Sequence, residues 1–376
     1  MQNIRKFLKG SIGAELPLVF ILATATVFVL FGEIWLADLS NVLWLAFIFA
    51  WLFGTILKAA FAVVRHADAL AEILGEPFGT LVLTLSVITI EVLMISSVML
   101  NGENNPAMAR DTMFGVVMIS MNGMVGLALL LGGWKHREQQ YNLQGANSYL
   151  SVIIPLAVLA MILPDFTQST PGASFSEFQA IFLIMMTLGL YAAFLIVQTM
   201  RHRQFFVTES KADDDDDKSH TSDSPPKHAL HHSILLLVYI APVVLLAKKL
   251  AIPIDYGIDT LDAPHALGGF IVAALVLAPE AMGATRSAIA NQLQRSVNIC
   301  LGSVLATIGL TVPAVLLIGL ATGRTIELGL PQTGVILLLL TLFVSVVTFS
   351  SARTNILQGL VHLILFFAYI MLIFQP

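Results

Sequence analysis

Residues 81–100 read LVLTLSVITIEVLMISSVML, twenty residues carrying a single charge, Glu91. A helix needs about 20 predominantly apolar residues, at about 1.5 Å each, to cross the hydrocarbon of a bilayer. This stretch fits one crossing and places Glu91 near or past its middle. Inserting an acid at that depth costs about 2.5–3.5 kcal/mol on insertion scales, so such residues mark ion pathways or proton relays by default. The competing reading is a structural acid paired with Arg or Lys inside the bundle; that no basic residue shares this span favours the functional one. Residues 270–289, FIVAALVLAPEAMGATRSAI, repeat the pattern with Glu280. Pro279 removes a backbone donor and is expected to break or kink that helix. Gly283 and Ala284 are expected to let another backbone approach. Arg286 follows closely, so an acid at a helix end is the alternative reading for Glu280.

The whole chain agrees with a lipid setting. Of 376 residues 57% are hydrophobic and 11% charged, with mean hydropathy +0.85. A water-soluble domain carries about 25% charged residues. The net charge of −5 owes as many acids to one run, Asp213, Asp214, Asp215, Asp216 and Asp217. No basic excess points to nucleic acid. The lone Cys300 excludes an intrachain disulfide and reads as a small buried hydrophobe. Arg5, Lys6 and Lys9 precede an apolar stretch reaching Ala37, longer than the ~7–15 residues of a signal peptide core. It reads as a retained first helix.

Eleven apolar runs follow: 16–37, 41–64, 78–100, 111–133, 149–164, 178–200, 231–249, 265–284, 296–320, 332–350 and 355–374. Polar breaks mark the eighth and ninth. The runs are too long and lack the period-two alternation of an outer-membrane barrel. The predicted class is an all-α integral membrane protein of eleven transmembrane helices. Placing the N-terminus in the cytoplasm puts fourteen lysines and arginines inside and four outside (Arg110, Lys248, Lys249 and Arg324), with Lys58 within a span. That bias orients the chain, with the C-terminus outside.

Residues 201–230, RHRQFFVTESKADDDDDKSHTSDSPPKHAL, form the one plainly hydrophilic linker, whose composition cannot bury enough apolar surface to offset ordering. On either side lie five spans, giving residues 1–40 as an N-terminal helix, 41–200 and 231–376 as repeats, and 201–230 as an acidic cytoplasmic linker. Each half carries its glutamate on the second span and an arginine opening the third: Arg110 in RDTMFGVVMISMNGMVGLALLLGG, Arg295 in RSVNICLGSVLATIGLTVPAVLLIG. The glutamates lie 189 positions apart and the arginines 185. Five spans is an odd number, so the second repeat enters from the opposite side, the inverted-repeat pattern of secondary transporters.

Burial and mutual repulsion both oppose ionisation of two carboxylates in a low-dielectric bundle. One divalent cation or two protons neutralise the pair equally, so exchange reduces to competition for one site, and oxygen ligands suit Ca²⁺. Candidate neutral ligands are Ser120 and Asn122 on the third span of the first half, Ser303 and Thr307 in the second, and Thr84, two turns before Glu91. Each of these equally suits hydrogen bonding between helices. The acidic run reads first as a solvated linker, and alternatively as a low-affinity cation sensor near His220, His228, His231 and His232. Arg65-His66-Ala67-Asp68 opens an amphipathic stretch before Gly75-Glu76-Pro77, a gate or a loop. His265 and His362 suit a proton relay or simple packing.

VVRHADALAEILGEPFGTLVLTLSVITIEV (63–92) and LAPEAMGATRSAIANQLQRSVNICLGSVLATIGLTVPAVLLIG (277–319), with the acidic linker between, resemble the calcium/proton antiporters of the calcium/cation antiporter superfamily, bacterial ChaA type. The resemblance implies an isolated first helix plus two inverted five-helix repeats in the bacterial inner membrane. It also implies alternating access around Glu91 and Glu280, with Gly302-Ser303 matching a family Gly-Ser. No cofactor is implied; the partners are membrane lipids and the transported ions, Ca²⁺ and H⁺. The family's Gly-Asn before the first glutamate is replaced within Ser86 to Ile90, and its Gln after Gly-Ser by Ala306. Fewer amide oxygens leave Na⁺/H⁺ or K⁺/H⁺ exchange as the alternative. An intramembrane enzyme finds no HExxH or paired Asp-rich motif, and a passive channel would pass cations without moving protons.

Overall fold

The computed structural model describes residues 15–74, 78–101, 106–206 and 226–375. The chain is helical almost throughout, because hydrocarbon offers no hydrogen bonds and the backbone must satisfy itself. The helices are α1 Leu16–Leu36, α2 Val42–Leu74, α3 Phe78–Asn101, α4 Met108–His136, α5 Leu143–Met161, α6 Glu177–Arg201, α7 Pro226–Thr260, α8 Ala266–Ile289, α9 Leu293–Thr322, α10 Gln332–Thr348 and α11 Ile356–Phe374. Among the described residues, nine are long and apolar enough to cross a membrane. Two shorter apolar stretches, Thr84–Ser97 on α3 and Gln332–Thr348, lie on the remaining helices. Among the described residues, nine of the eleven expected spans are thus long and apolar enough to cross.

Four expectations change. The helix of α8 runs unbroken through Pro279; the proline costs one intrahelical bond, at the Leu275 carbonyl, and the flanking turns hold. Helix α9 is likewise continuous, its polar stretch absorbed in a π turn, Thr307–Thr311. Helix α7 continues to Thr260 through Pro242 and Pro253, so Lys248 and Lys249, expected to close the seventh span, lie inside a longer helix. Helix α2 likewise runs on through Arg65-His66-Ala67-Asp68 to Leu74, which makes that stretch helix and not loop.

The chain divides into two units. The first holds α1, α2, α3 and α7, with α2 packed against the other three. Asn41 caps α2 by accepting from the Leu43 and Trp44 backbone N–H groups. An aromatic cluster closes the α1–α2 hairpin: Trp44 Nε1 donates to the Trp35 carbonyl at 3.0 Å, and Phe28 meets Trp35 and Trp51 edge-on. Glycine at position 32 lets the Lys249 side chain lie against α1.

The second unit holds α4 to α6 and α8 to α11, with the largely buried α4 packed against α8 and α11. Small residues set these crossings. A Cβ at Gly269 would lie 2.7 Å from the Asp111 and Thr112 backbone, and one at Gly359 2.6 Å from the Leu130 nitrogen. Gly283 has no such role, since a Cβ there would meet only Ile299, at an ordinary 3.7 Å. Asn142 caps α5, while Ser176 and Asn355 form capping boxes with Gln179 and Gln358 on α6 and α11. A two-residue antiparallel ladder pairs β1 (Gln139–Gln140) with β2 (Arg353–Thr354).

Close crossings of this kind predict a graded response to added methylenes. Gly269→Val should destabilise the protein by about 1–3 kcal/mol or more through overpacking. Gly189→Ala, with nothing within 4 Å of the new Cβ, should leave stability unchanged or slightly raised. Thermal melting of the purified protein in detergent measures both; equal melting temperatures would remove the close-packing account of α4 and α8.

Candidate functional site

Glu91 lies on α3 in the first unit and is 1% exposed. Its neighbours along the helix, Ile88, Ile90, Met94 and Ile95, are buried too. Three hydroxyls of this helix bond to their own backbone: Ser86 donates to the Val82 carbonyl, Thr89 to Leu85 and Ser96 to Val92, at 2.5–2.6 Å. Such back-bonding hides a hydroxyl from lipid without recruiting another helix. Ser86, in the segment where the resemblance expects Gly-Asn, is therefore already committed to its own helix. Thr84 is half-buried on the same helix.

Glu280 lies on α8 in the second unit and is half-buried. Ser303 on α9 donates its hydroxyl to Glu280 Oε2 at 2.5 Å. Of the neutral ligands expected from sequence, Ser303 is thus brought to a glutamate. The link spans 23 residues and joins two helices around the tight turn at 290–292. A hydrogen bond to a charged acceptor contributes about 1.5–3 kcal/mol, enough to orient the carboxylate.

The other candidates sit on the two π turns. Helix α4 widens at Ile119–Met124, where Ser120 and Asn122 are both fully buried. Helix α9 widens at Thr307–Thr311, with Thr307 equally buried. Single π turns inside α-helices are frequent at functional sites. Ser120 donates to the Met124 sulfur at 3.6 Å. Asn122 instead joins a network: its Nδ2 donates to Thr341 Oγ1 at 2.8 Å, and its Oδ1 lies 3.1 Å from His362 Nδ1.

The remaining sequence candidates disperse. His265 lies exposed before α8. Arg110 pairs with Asp111 at 2.8 Å and donates to the Gly329 carbonyl, while Arg295 is exposed, so the two repeat arginines have different surroundings. Cys300 is buried, as expected. His66 meets His232 through their Nδ1 atoms at 2.9 Å, and Glu15 joins them, taking a bond from Arg65 at 3.1 Å and from the Tyr239 hydroxyl at 2.8 Å. Sequence reading placed neither Glu15 nor Tyr239 in that cluster. The acidic run Asp213 to Asp217, His220, Gly75-Glu76-Pro77, and Arg5, Lys6 and Lys9 lie outside the described residues.

The family model for sodium/calcium exchanger proteins matches residues 44–200 and 231–375. The chain belongs to the sodium/calcium exchanger family. It is 40% identical over 319 residues to the sodium-potassium/proton antiporter ChaA of Escherichia coli (strain K12), covering 85% of this chain and 86% of that protein. Its fold is similar to that of the Ca²⁺/H⁺ antiporter protein YfkE, with TM-score 0.72 at 20% identity over 96% of this chain and 99% of the other. It is also similar to the H⁺/Ca²⁺ exchanger CAX, with TM-score 0.66 at 13% identity over 94% and 87% of the two chains. As a member of the sodium/calcium exchanger family, the protein is an integral membrane cation antiporter and not an enzyme. Such antiporters use no cofactor; the ions are cargo.

Whether the Ser303–Glu280 bond takes part in cation binding can be measured. Ser303→Ala removes a donor worth about 1.5–3 kcal/mol to a charged acceptor. The half-saturating cation concentration should rise by roughly tenfold or more on that scale, while Ser303→Thr, which keeps the hydroxyl, should stay close to the wild type. Cation-dependent proton flux in proteoliposomes reads the difference; equal half-saturation in Ser303→Ala would show that the bond does not serve the ion.

Proposed function

We propose that the protein exports Ca²⁺ from the cytoplasm in exchange for protons, by alternating access at a site whose charged ligands are Glu91 and Glu280. The observation that carries this reading is a pair of intramembrane carboxylates at matching places in the two halves, one fully buried on α3 and the other held by Ser303 on α8. Neither can remain charged and unattended in hydrocarbon. A divalent cation or protons neutralise them, and the two alternatives exclude each other. Binding one load displaces the other, which is the coupling an antiporter needs.

On this reading the first helix stands apart, the two five-helix repeats are inverted, and the acidic linker joins them on the cytoplasmic side of the bacterial inner membrane. The N-terminus is cytoplasmic and the C-terminus outside, as the distribution of lysine and arginine supports. Thr84, Ser120, Asn122, Ser303 and Thr307 supply neutral oxygens. Asp213 to Asp217 belong to that solvated linker, with a regulatory sensor of cytosolic cations as the second reading of the same run. The printed names YfkE, a Ca²⁺/H⁺ antiporter, and CAX, an H⁺/Ca²⁺ exchanger, favour calcium. The name of the 40% identical relative, a sodium-potassium/proton antiporter, favours Na⁺ and K⁺ exchange at the same carboxylates as the second reading. The scarcity of amide oxygens near the glutamates supports that second reading as well.

Everted vesicles carrying the protein should lose a preformed proton gradient on addition of Ca²⁺, and of Na⁺ or K⁺ if the second reading holds. Glu91→Gln and Glu280→Gln should each abolish the response. Full exchange in either variant would overturn the carboxylate assignment, and cation flux with no accompanying proton movement would indicate a channel.

A further inference from the structure

Four buried polar groups in the second unit form a continuous chain of hydrogen bonds, of which the two-glutamate reading uses Asn122 alone. Asn122 sits in the π turn of α4, Thr341 and Thr348 on α10, and His362 on α11; none is more than 2% exposed. The donors and acceptors can be assigned from the geometry. Thr341 Oγ1 donates to the Met118 sulfur at 3.6 Å and therefore accepts from Asn122 Nδ2 at 2.8 Å. Nδ2 also lies 3.7 Å from that sulfur. The amide is thereby turned with Oδ1 toward His362. Oδ1 can only accept, so His362 Nδ1, 3.1 Å away, carries the proton. Nε2 then accepts from the Thr348 hydroxyl at 3.0 Å.

The chain of bonds fixes both ends of one amide from two other helices. An amide oxygen has two lone pairs, and His362 occupies one. The other stays available on a residue whose rotation is blocked, beside a widened turn of a buried helix. Residues that hold a ligand through its second hydrogen-bonding position raise ion affinity by pre-orienting it. Burial obliges both ring nitrogens to find partners, and the partner of Nδ1 is the amide oxygen of Asn122 in the π turn of another helix.

We propose that His362 is a positioning residue for the exchange reaction: it orients the Asn122 amide so that Oδ1 is presented to the transported cation. The proposal rests on the reading of Asn122 as a neutral ligand and deepens it. Thr341 sets the sense of the amide, and Thr348 sets the tautomer of the ring. The cation gains a fixed carbonyl-type oxygen, which partly offsets the amides that the chain lacks near Glu91 and after Ser303.

The test is a double-mutant cycle on the full chain in proteoliposomes, with Ca²⁺ and Na⁺ as probes and half-saturation separated from maximal rate. His362→Ala and Asn122→Ala should each raise the half-saturating cation concentration about tenfold, the low end of the range for lost ligand-orienting partners. The double variant should be no worse than the weaker-binding single variant, because both remove one interaction. His362→Asn, whose amide N–H stands near the position of Nδ1, should recover most of the affinity. Thr341→Val should weaken binding in the same direction. Multiplicative effects in the double variant would overturn the proposal. So would a His362→Ala protein that melts earlier yet half-saturates normally, which marks a purely structural histidine. Unchanged half-saturation in Asn122→Ala would also overturn it, while leaving the two glutamates to stand or fall on their own variants. If His362→Ala does not fold, the His362→Asn and Thr341→Val comparison decides the same point.

Discussion

Hydrocarbon cannot solvate a charge or an open hydrogen bond, and that constraint shapes the helices of this protein and their buried polar groups. The backbone answers it with long helices, and hydroxyls such as those of Ser86, Thr89 and Ser96 answer it by bonding to the carbonyl one turn back. The two span glutamates cannot be satisfied so cheaply. A carboxylate has more lone pairs than its own helix can serve, so it must draw on another helix, on protons or on a cation. Ser303 provides one such answer for Glu280. On the proposed reading the transported ions act on the same carboxylates, and exchange follows because a cation and protons neutralise them in turn.

Much of the architecture was readable because the same constraint writes itself into local sequence. Apolar runs of membrane length located the helices, and single acids within them located the candidate ligands. The Glu280–Ser303 contact was within reach of sequence because both residues belong to adjacent helices joined by a tight turn. Boundaries were harder. The ends of α2 and α7 are polar and amphipathic, and hydropathy stops where the lipid stops, not where the helix does. Pro279 misled for a related reason: one lost hydrogen bond is tolerated when neighbouring helices hold the flanking turns, so the proline did not end α8.

The buried network around Asn122 was illegible for a different reason. Asn122 and His362 are 240 residues apart, and Asn122 and Thr341 are separated by 219. No periodicity links them, and a single histidine in an apolar helix looks the same whether it packs or positions. The cluster of Glu15, Arg65, His66, His232 and Tyr239 has the same character: its members come from three helices and meet only in the folded unit. The π turns belong to this class as well, since an extra residue in one turn leaves no mark on hydropathy. Local patterns therefore revealed where charge enters the membrane, and tertiary structure revealed what holds the neutral groups in place.

The central claim is that cation and protons compete for the carboxylates of Glu91 and Glu280. It is tested most directly by the protons released when a cation binds to the purified protein in weakly buffered detergent solution. The account predicts that Ca²⁺ releases protons from the wild-type protein and releases none from the Glu91→Gln, Glu280→Gln double variant. Equal release from both, or cation binding to the wild type with no release at all, would contradict it.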